Sequence, residues 1–230
     1  MLNHVYNRLV HAAGESALGL LPDSACLLGR DNGVLQRSIR HVVTRNPILG
    51  PYPEGFETAT FGMGCFWCSE GHFAELCKSL SSGIYATLVG YSQGVTKNPT
   101  YEEVCSGKTN HCEVVQIVFD PRVKSFSSLL KDFWELHDPT TRFRQGNDIG
   151  TQYRSGIYYE SEAQRKLSEK TRDIYQAALK ERGLNAEIDT EIEPLRNFYP
   201  AEEYHQQYDM KPGSRQYCGM RPTGVSMPSF

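Results

Sequence analysis

Thr58-Ala59-Thr60-Phe61-Gly62-Met63-Gly64-Cys65-Phe66-Trp67-Cys68-Ser69-Glu70 carries the chain from a strand-type run into a helix-type run. Thr58 to Met63 reads as a strand. Ser69 to Leu80 predicts a helix with Phe73, Leu76, Cys77 and Leu80 on one face, which places Cys77 in the core. A thiol just ahead of a helix N-terminus lies in positive potential, and that favours the thiolate. Phe66 and Trp67 follow at once, so a pocket around Cys65 has apolar walls. Cys65 is therefore a candidate nucleophile for a small, partly apolar group. Its plain alternative is a buried structural thiol, the usual state of a free cysteine.

Outward from this junction the pattern is α+β. Ile84 to Tyr91 and Glu113 to Phe119 are rich in β-branched and aromatic residues and read as strands. Ser92 to Asn110 between them is a long Gly/Ser/Asn/Pro loop, of the kind that often carries function. Ser125 to His137 predicts a helix with Phe126, Leu129, Leu130, Phe133 and Leu136 inward, ended by Asp138-Pro139. Thr140 to Tyr153 is a second polar loop, and Gly156 to Tyr159 a short strand. Ser161 to Arg182 is a helix with a possible Ser161/Gln164 capping box and Gly183 past its end. Ala186 to Ile192 reads as a strand. From Phe198 the tail is coil-rich.

The first fifty residues differ in composition. They hold five Arg, no Lys and three acids, Glu15, Asp23 and Asp31. Residues 1–50 read as an amino-terminal extension, either disordered or a mitochondrial-type transit peptide. Pro47, Pro51 and Pro53 lead into one domain over 51–230. The whole chain has 230 residues and net charge −3, enough for one core without the basic stripe that nucleic acid demands. No apolar run reaches the roughly 18 residues of a membrane span. Seven cysteines, an odd number in a chain that needs no staples, point to reduced thiols in a reducing compartment. The expected location is cytoplasmic, or mitochondrial if the extension is a leader.

Three constellations compete for the chemistry. Cys65, Cys68, His111 and Cys112 could bind metal, but one C-x2-C is half a zinc site and adjacent strand residues point apart. Cys65 and Cys68 have thioredoxin-like dithiol spacing. A single nucleophile at Cys65 could instead be served by polar groups from the two long loops, including Tyr101, Glu113, Asp148 and Tyr153.

The motifs Gly-Cys-Phe-Trp at 64–67, Asn-Pro-Thr-Tyr at 98–101, Glu-Val-Cys-Ser-Gly at 103–107 and His-Asp-Pro-Thr at 137–140 occur with Arg-Gln-Gly-Asn-Asp at 144–148, Gly-Thr-Gln-Tyr-Arg-Ser at 150–155 and Tyr-His-Gln-Gln-Tyr at 204–208. In this order and spacing, over about residues 53–227, the chain resembles peptide methionine sulfoxide reductase A. The resemblance implies a two-layer α/β plait-like sandwich around a mixed central sheet, with a coil-rich carboxy-terminal tail. It implies reduction of the S-epimer of methionine sulfoxide, in proteins and as the free amino acid, by a monomer using no cofactor and no metal. Cys65 maps onto the nucleophile. Glu113, Tyr101 and Tyr153 map onto the partners of the sulfoxide oxygen, Asp148 onto their support, Phe66 and Trp67 onto the methyl-binding aromatics, and Cys218 onto the resolving cysteine. Thioredoxin is the implied reductant. The alternatives are a dithiol oxidoreductase on Cys65/Cys68 and a non-catalytic binder of oxidised methionine.

The chain departs from the family pattern at several points. Met227 stands where many relatives have a second tail cysteine, so the relay is expected to end at Cys65–Cys218, with Cys68 as an alternative resolver. Met220-Arg221-Pro222 replaces glycines after Cys218. Gln93 and Asn110 replace glycines, and Cys112 an alanine. Cys105 is expected to be structural.

Overall fold

Alternation along the central strands sets the two faces of the sheet. In β1 (Glu57–Met63) Ala59, Phe61 and Met63 enter one core, and so do Val115, Ile117 and Phe119 of β3 (Cys112–Phe119). The computed structural model describes residues 19–35, 38–214 and 218–230. The other elements are α1 (Phe66–Leu76), β2 (Ile84–Ser92), a short α2 (Tyr101–Cys105), α3 (Phe126–Leu136), a two-residue hairpin β4/β5 (Arg144–Gln145 and Asp148–Ile149), β6 (Ser155–Tyr159), α4 (Glu162–Glu181), β7 (Glu191–Pro194) and β8 (Phe198–Pro200).

Six strands form one sheet in the order β7-β6-β1-β3-β2-β8. Only the β6–β7 edge pair is parallel. The inner four, reached through β1-α1-β2-β3-α3-β6, form a split βαβ plait. Helices α1, α3 and α4 cover one face, with Phe73, Phe133, Trp134, Tyr175 and Leu179 buried against the strands. The α+β sandwich around a mixed sheet is thus as expected, and the tail adds one short strand at the β2 edge.

Local chemistry moves several boundaries. Helix α1 begins at Phe66 rather than Ser69, because Gly64 at φ 87° turns the chain abruptly and Cys65 becomes the N-cap. The helix also ends at Leu76, and Leu80, expected inward, is exposed. At α4, Ser161 Oγ accepts from Gln164 N, but Gln164 Oε1 accepts from Glu160 N, so the capping box is only half formed. The last long strand starts at Glu191 instead of Ala186. Ile188 N donates to Gln176 Oε1 and Asp189 N to Pro139 O, which holds that stretch on α4 and on the loop after α3.

The amino-terminal residues pack on the domain wherever they are described. Ile48 is 0 % exposed and joins Ala86, Leu88 and Val118 on the sheet face opposite the helices, with Ile39, Leu49 and Tyr52 around it. Farther upstream the segment follows the β2–β3 loop. Leu27 N donates to Lys108 O (2.9 Å), Arg30 pairs with Glu103 (2.7 Å), and Leu21 exchanges two bonds with the Asn110 side chain. Asn110 lies at φ 57°, which its side chain tolerates and its bonds to Leu21 stabilise. The transit-peptide reading spans residues 1–50, of which 1–18, 36 and 37 lie outside the described residues. Truncating Ile48 to Ala should cost about 2–4 kcal/mol in chemical denaturation; an unchanged midpoint would show that this segment is not part of the folded unit.

Candidate active site

Gly64 makes the turn that sets the site. A Cβ there would lie 2.5 Å from Gln145 Cγ, so only glycine lets the nucleophile turn close on the β4/β5 loop. Cys65 follows as the N-cap of α1 and is half-buried. Its neighbour Phe66 presents one of the helix's unpaired amides. That N–H donates to Glu113 Oε2 at 3.1 Å. Glu113 shares its β3 face with Val115 and Ile117 and therefore points into the helix layer, opposite Tyr91 of β2.

Glu113 is 1 % exposed, and its Oε1 is buried with no hydrogen-bond partner. Burial drives its pKa up, the Phe66 amide opposes this, and the negative charge of Asp148 adds to it, leaving it at about 8. The carboxyl therefore keeps its proton at neutral pH. Asp148 sits on β5, and Tyr153 in the turn directly after it. Arg154, itself buried, donates to Thr151 O (2.8 Å) and pairs with Glu191 (2.8 Å), which fixes that turn to the sheet.

The aromatic walls come from four segments. Trp67 stacks on Tyr208 (centroids 4.1 Å, 12°), and its Nε1–H donates to His205 Nδ1 (2.9 Å). Phe66 lies against Tyr91 (5.8 Å) and His205 (5.1 Å), and Tyr101 meets His205 at 4.5 Å. His205 is buried and its pKa is lowered to about 3, by burial first and then by Lys211. A neutral ring that accepts on Nδ1 carries its proton on Nε2. Glu202 joins two walls, accepting from the Tyr91 hydroxyl and from Tyr101 N (both 2.9 Å).

Sequence reasoning assigned no role to His205, Tyr208, Glu202 or Tyr91. The Tyr204–Tyr208 motif was visible, but its contact with Trp67 spans 138 positions. The three thiols Cys65, Cys68 and Cys218 also come together. Cys68 is hydrogen-bonded to both of the others, and Gly219 packs against Asp148. His111, considered as a metal ligand, has both ring nitrogens engaged by backbone, at Gly94 N (3.2 Å) and Thr96 O (2.8 Å).

The family model described as Peptide methionine sulfoxide reductase matches residues 57–227. The chain belongs to the peptide methionine sulfoxide reductase family. It is 54 % identical over 188 residues to MsrA 2 of Nostoc sp., covering 82 % of each chain. It is 54 % identical over 192 residues to MsrA of Streptomyces griseus, covering 82 % of this chain and 83 % of that one. Among solved structures, methionine sulfoxide reductase A of Corynebacterium diphtheriae superposes with a TM-score of 0.78 at 38 % identity, over 92 % of this chain and all of that one. Reduced Mxr1 from Saccharomyces cerevisiae gives 0.64 at 32 % identity, over 83 % and 99 %.

Burying Glu113 has a thermodynamic signature. Its carboxyl ionises near 4.5 in the unfolded chain and near 8 when folded, so the native state holds the extra proton between these values and stability falls as pH rises through that window. The Glu113→Gln variant lacks this loss. Its melting temperature relative to wild type should rise from pH 5 to pH 8 by at least about 4 °C; parallel curves would place the Glu113 pKa near its unfolded value.

Proposed function

We propose that this chain reduces methionine sulfoxide to methionine, with Cys65 as nucleophile and Glu113 as the acid at the sulfoxide oxygen. The observation that carries the reading is the buried, unpartnered Oε1 of Glu113, held beside the start of the helix that bears Cys65.

A sulfoxide sulfur is electrophilic only when its oxygen is protonated or strongly hydrogen-bonded. Thiolate attack at sulfur must therefore be matched by a donor at oxygen. Protonated Glu113 supplies that donor, with Tyr101 and Tyr153 as hydroxyl donors to the developing charge. A donor of this kind is worth ~3 kcal/mol of barrier. Asp148 supports the carboxyl by discouraging a second negative charge beside it. Phe66 and Trp67, backed by His205 and Tyr208, form the apolar seat for the methyl group.

The oxygen leaves the substrate on the cysteine. Cys65 becomes a sulfenic acid and methionine departs. A second thiol then condenses with it, releases water and leaves a disulfide that a dithiol protein can reduce. The tail thiol Cys218 completes this part, and a pure binder of oxidised methionine would have no use for it. The S-epimer, free and peptide-bound substrates, and thioredoxin as reductant are the family-level parts of the proposal. A reducing, cytoplasmic setting belongs to the same proposal and rests on the odd number of cysteines in a chain that needs no staples.

Cys65→Ser should abolish turnover of methionine S-sulfoxide; retained activity would remove the nucleophile. Glu113→Gln should lower kcat/KM about 100-fold or more. In wild type kcat/KM should decline above about pH 8 as Glu113 loses its proton, and this limb should be missing in the variant. A limb that persists there belongs to another group.

A further inference from the structure

Cys68 lies one helical turn beyond Cys65, with its amide on Cys65 O at 3.2 Å, and is 5 % exposed. Its sulfur is the centre of a three-thiol chain. Cys218 donates to Cys68, and Cys68 donates to Cys65. The tail holds this arrangement through its backbone. Gly219 N–H reaches the Cys68 sulfur and Met220 N–H the Cys218 sulfur. The glycines fit the tail to the loop: a Cβ on Gly219 would strike Asp148 Oδ2, and one on Gly146 would strike Gly219 O. Cys218 itself is exposed. The sulfur that meets Cys65 is thus the inner thiol of the helix, and the sulfur that meets solvent is the tail thiol.

We infer that Cys68 is the thiol that resolves Cys65, and that it hands the resulting disulfide outward to Cys218. This rests on the proposed sulfoxide chemistry and changes the expected pairing of its second half. In the first step the Cys68 sulfur attacks the sulfenic sulfur of Cys65. The S–O bond breaks, the Cys65–Cys68 bond forms, and the hydroxyl leaves as water with the Cys68 proton. In the second step Cys218 attacks Cys68. The Cys68–Cys218 bond forms, Cys65 departs with the bonding electron pair, and the Cys218 proton passes to it or to solvent. The first thiol is thereby regenerated in the pocket while the oxidised pair sits at the surface. A dithiol reductant then attacks the exposed Cys218 sulfur and returns both thiols, becoming a disulfide itself.

The residues fit these roles. An N-cap cysteine followed by a cysteine three residues on has redox-motif spacing, and the pair lies on one helix face. The hydrogen bond from Cys218 works to lower the Cys68 pKa, but donation to Cys65 and burial outweigh it, raising it to about 12. Donation to Cys68, then burial, also raises that of Cys218. Both stay protonated at rest, so each step carries its own proton toward the leaving oxygen or sulfur. A tail seated in this way needs no long swing to reach Cys65.

Disulfide mapping of the full chain tests the order without any variant. Reduced protein is treated with one equivalent of methionine S-sulfoxide and no reductant, quenched by alkylation, and digested. The expected product is the Cys68–Cys218 disulfide with Cys65 alkylated. In Cys218→Ser the product should be Cys65–Cys68. In Cys68→Ser, Cys65 should persist as a sulfenic acid captured by dimedone, with thioredoxin-driven turnover down at least tenfold. A Cys65–Cys218 disulfide in wild type, or full turnover in Cys68→Ser, overturns the inference. Repeating the mapping with one equivalent of hydrogen peroxide generates the Cys65 sulfenic acid independently. The relay is thus judged even if sulfoxide is not consumed, a failure that would fall on the proposed function alone.

Discussion

The hydrogen bond from Phe66 N–H to Glu113 Oε2 joins the two halves of the site. It uses an amide that the start of α1 leaves unpaired, and it meets a carboxyl that the interior would otherwise strand. One oxygen is occupied by the helix that carries the nucleophile; the other is left for a ligand. The bond alone would pull the carboxyl toward ionisation, yet burial wins. The same contact therefore fixes the spacing between sulfur and acid and leaves the acid protonated. The plait makes this possible by laying α1 directly over the face of β3 from which Glu113 projects.

A second buried carboxylate stiffens the opposite side of α1. Glu70 accepts from Thr87 Oγ1 (3.0 Å), Gln207 N (2.6 Å) and Gln207 Nε2 (2.8 Å). Burial raises its pKa to about 7 against those bonds. His41 accepts on Nδ1 from Val43 and Thr44, so its Nε2–H donates to Thr87, and Val42 N donates to Gln207 Oε1. The network ties the amino-terminal segment, β2, the nucleophile helix and the tail together. Through Gln207 it seats His205 and Tyr208, which back Trp67.

Elements with a strong period were legible in sequence: β1, β3, α3 and α4 fall within a few residues of expectation, because one apolar face decides each. Boundaries set by single bonds were not legible, as at Glu191 and at the half-formed cap of α4. The short α2 was hidden in a polar loop, since a Thr100 capping box with Glu103 stabilises it more than any apolar face. At the site, motif resemblance marked Cys65, Glu113 and Asp148 and the elements that bring them together. The neutral Glu113 was not legible, because it depends on how deeply the packing of α1 over β3 buries the carboxyl. The C-x2-C spacing offered Cys68 as an alternative resolver, but the His205 and Tyr208 wall and the seating of Cys218 on Cys68 depend on tail residues packing across more than a hundred positions, which no local pattern encodes.

Gln93, where a glycine was expected, adopts φ 69° and is held there by Pro194 O and Arg196 N on its side chain. Asn110 is held by Leu21 in the same manner. Part of the cover over the helix-free face of the sheet, Ile39, Ile48, Leu49 and Tyr52, lies upstream of the family-model span, which opens at Glu57. An expression unit cut at that point would lay bare Ala86, Leu88 and Val118, an oily strip that invites self-association. Part of the cover that keeps this face of the sheet from water is therefore encoded upstream of the family-model span.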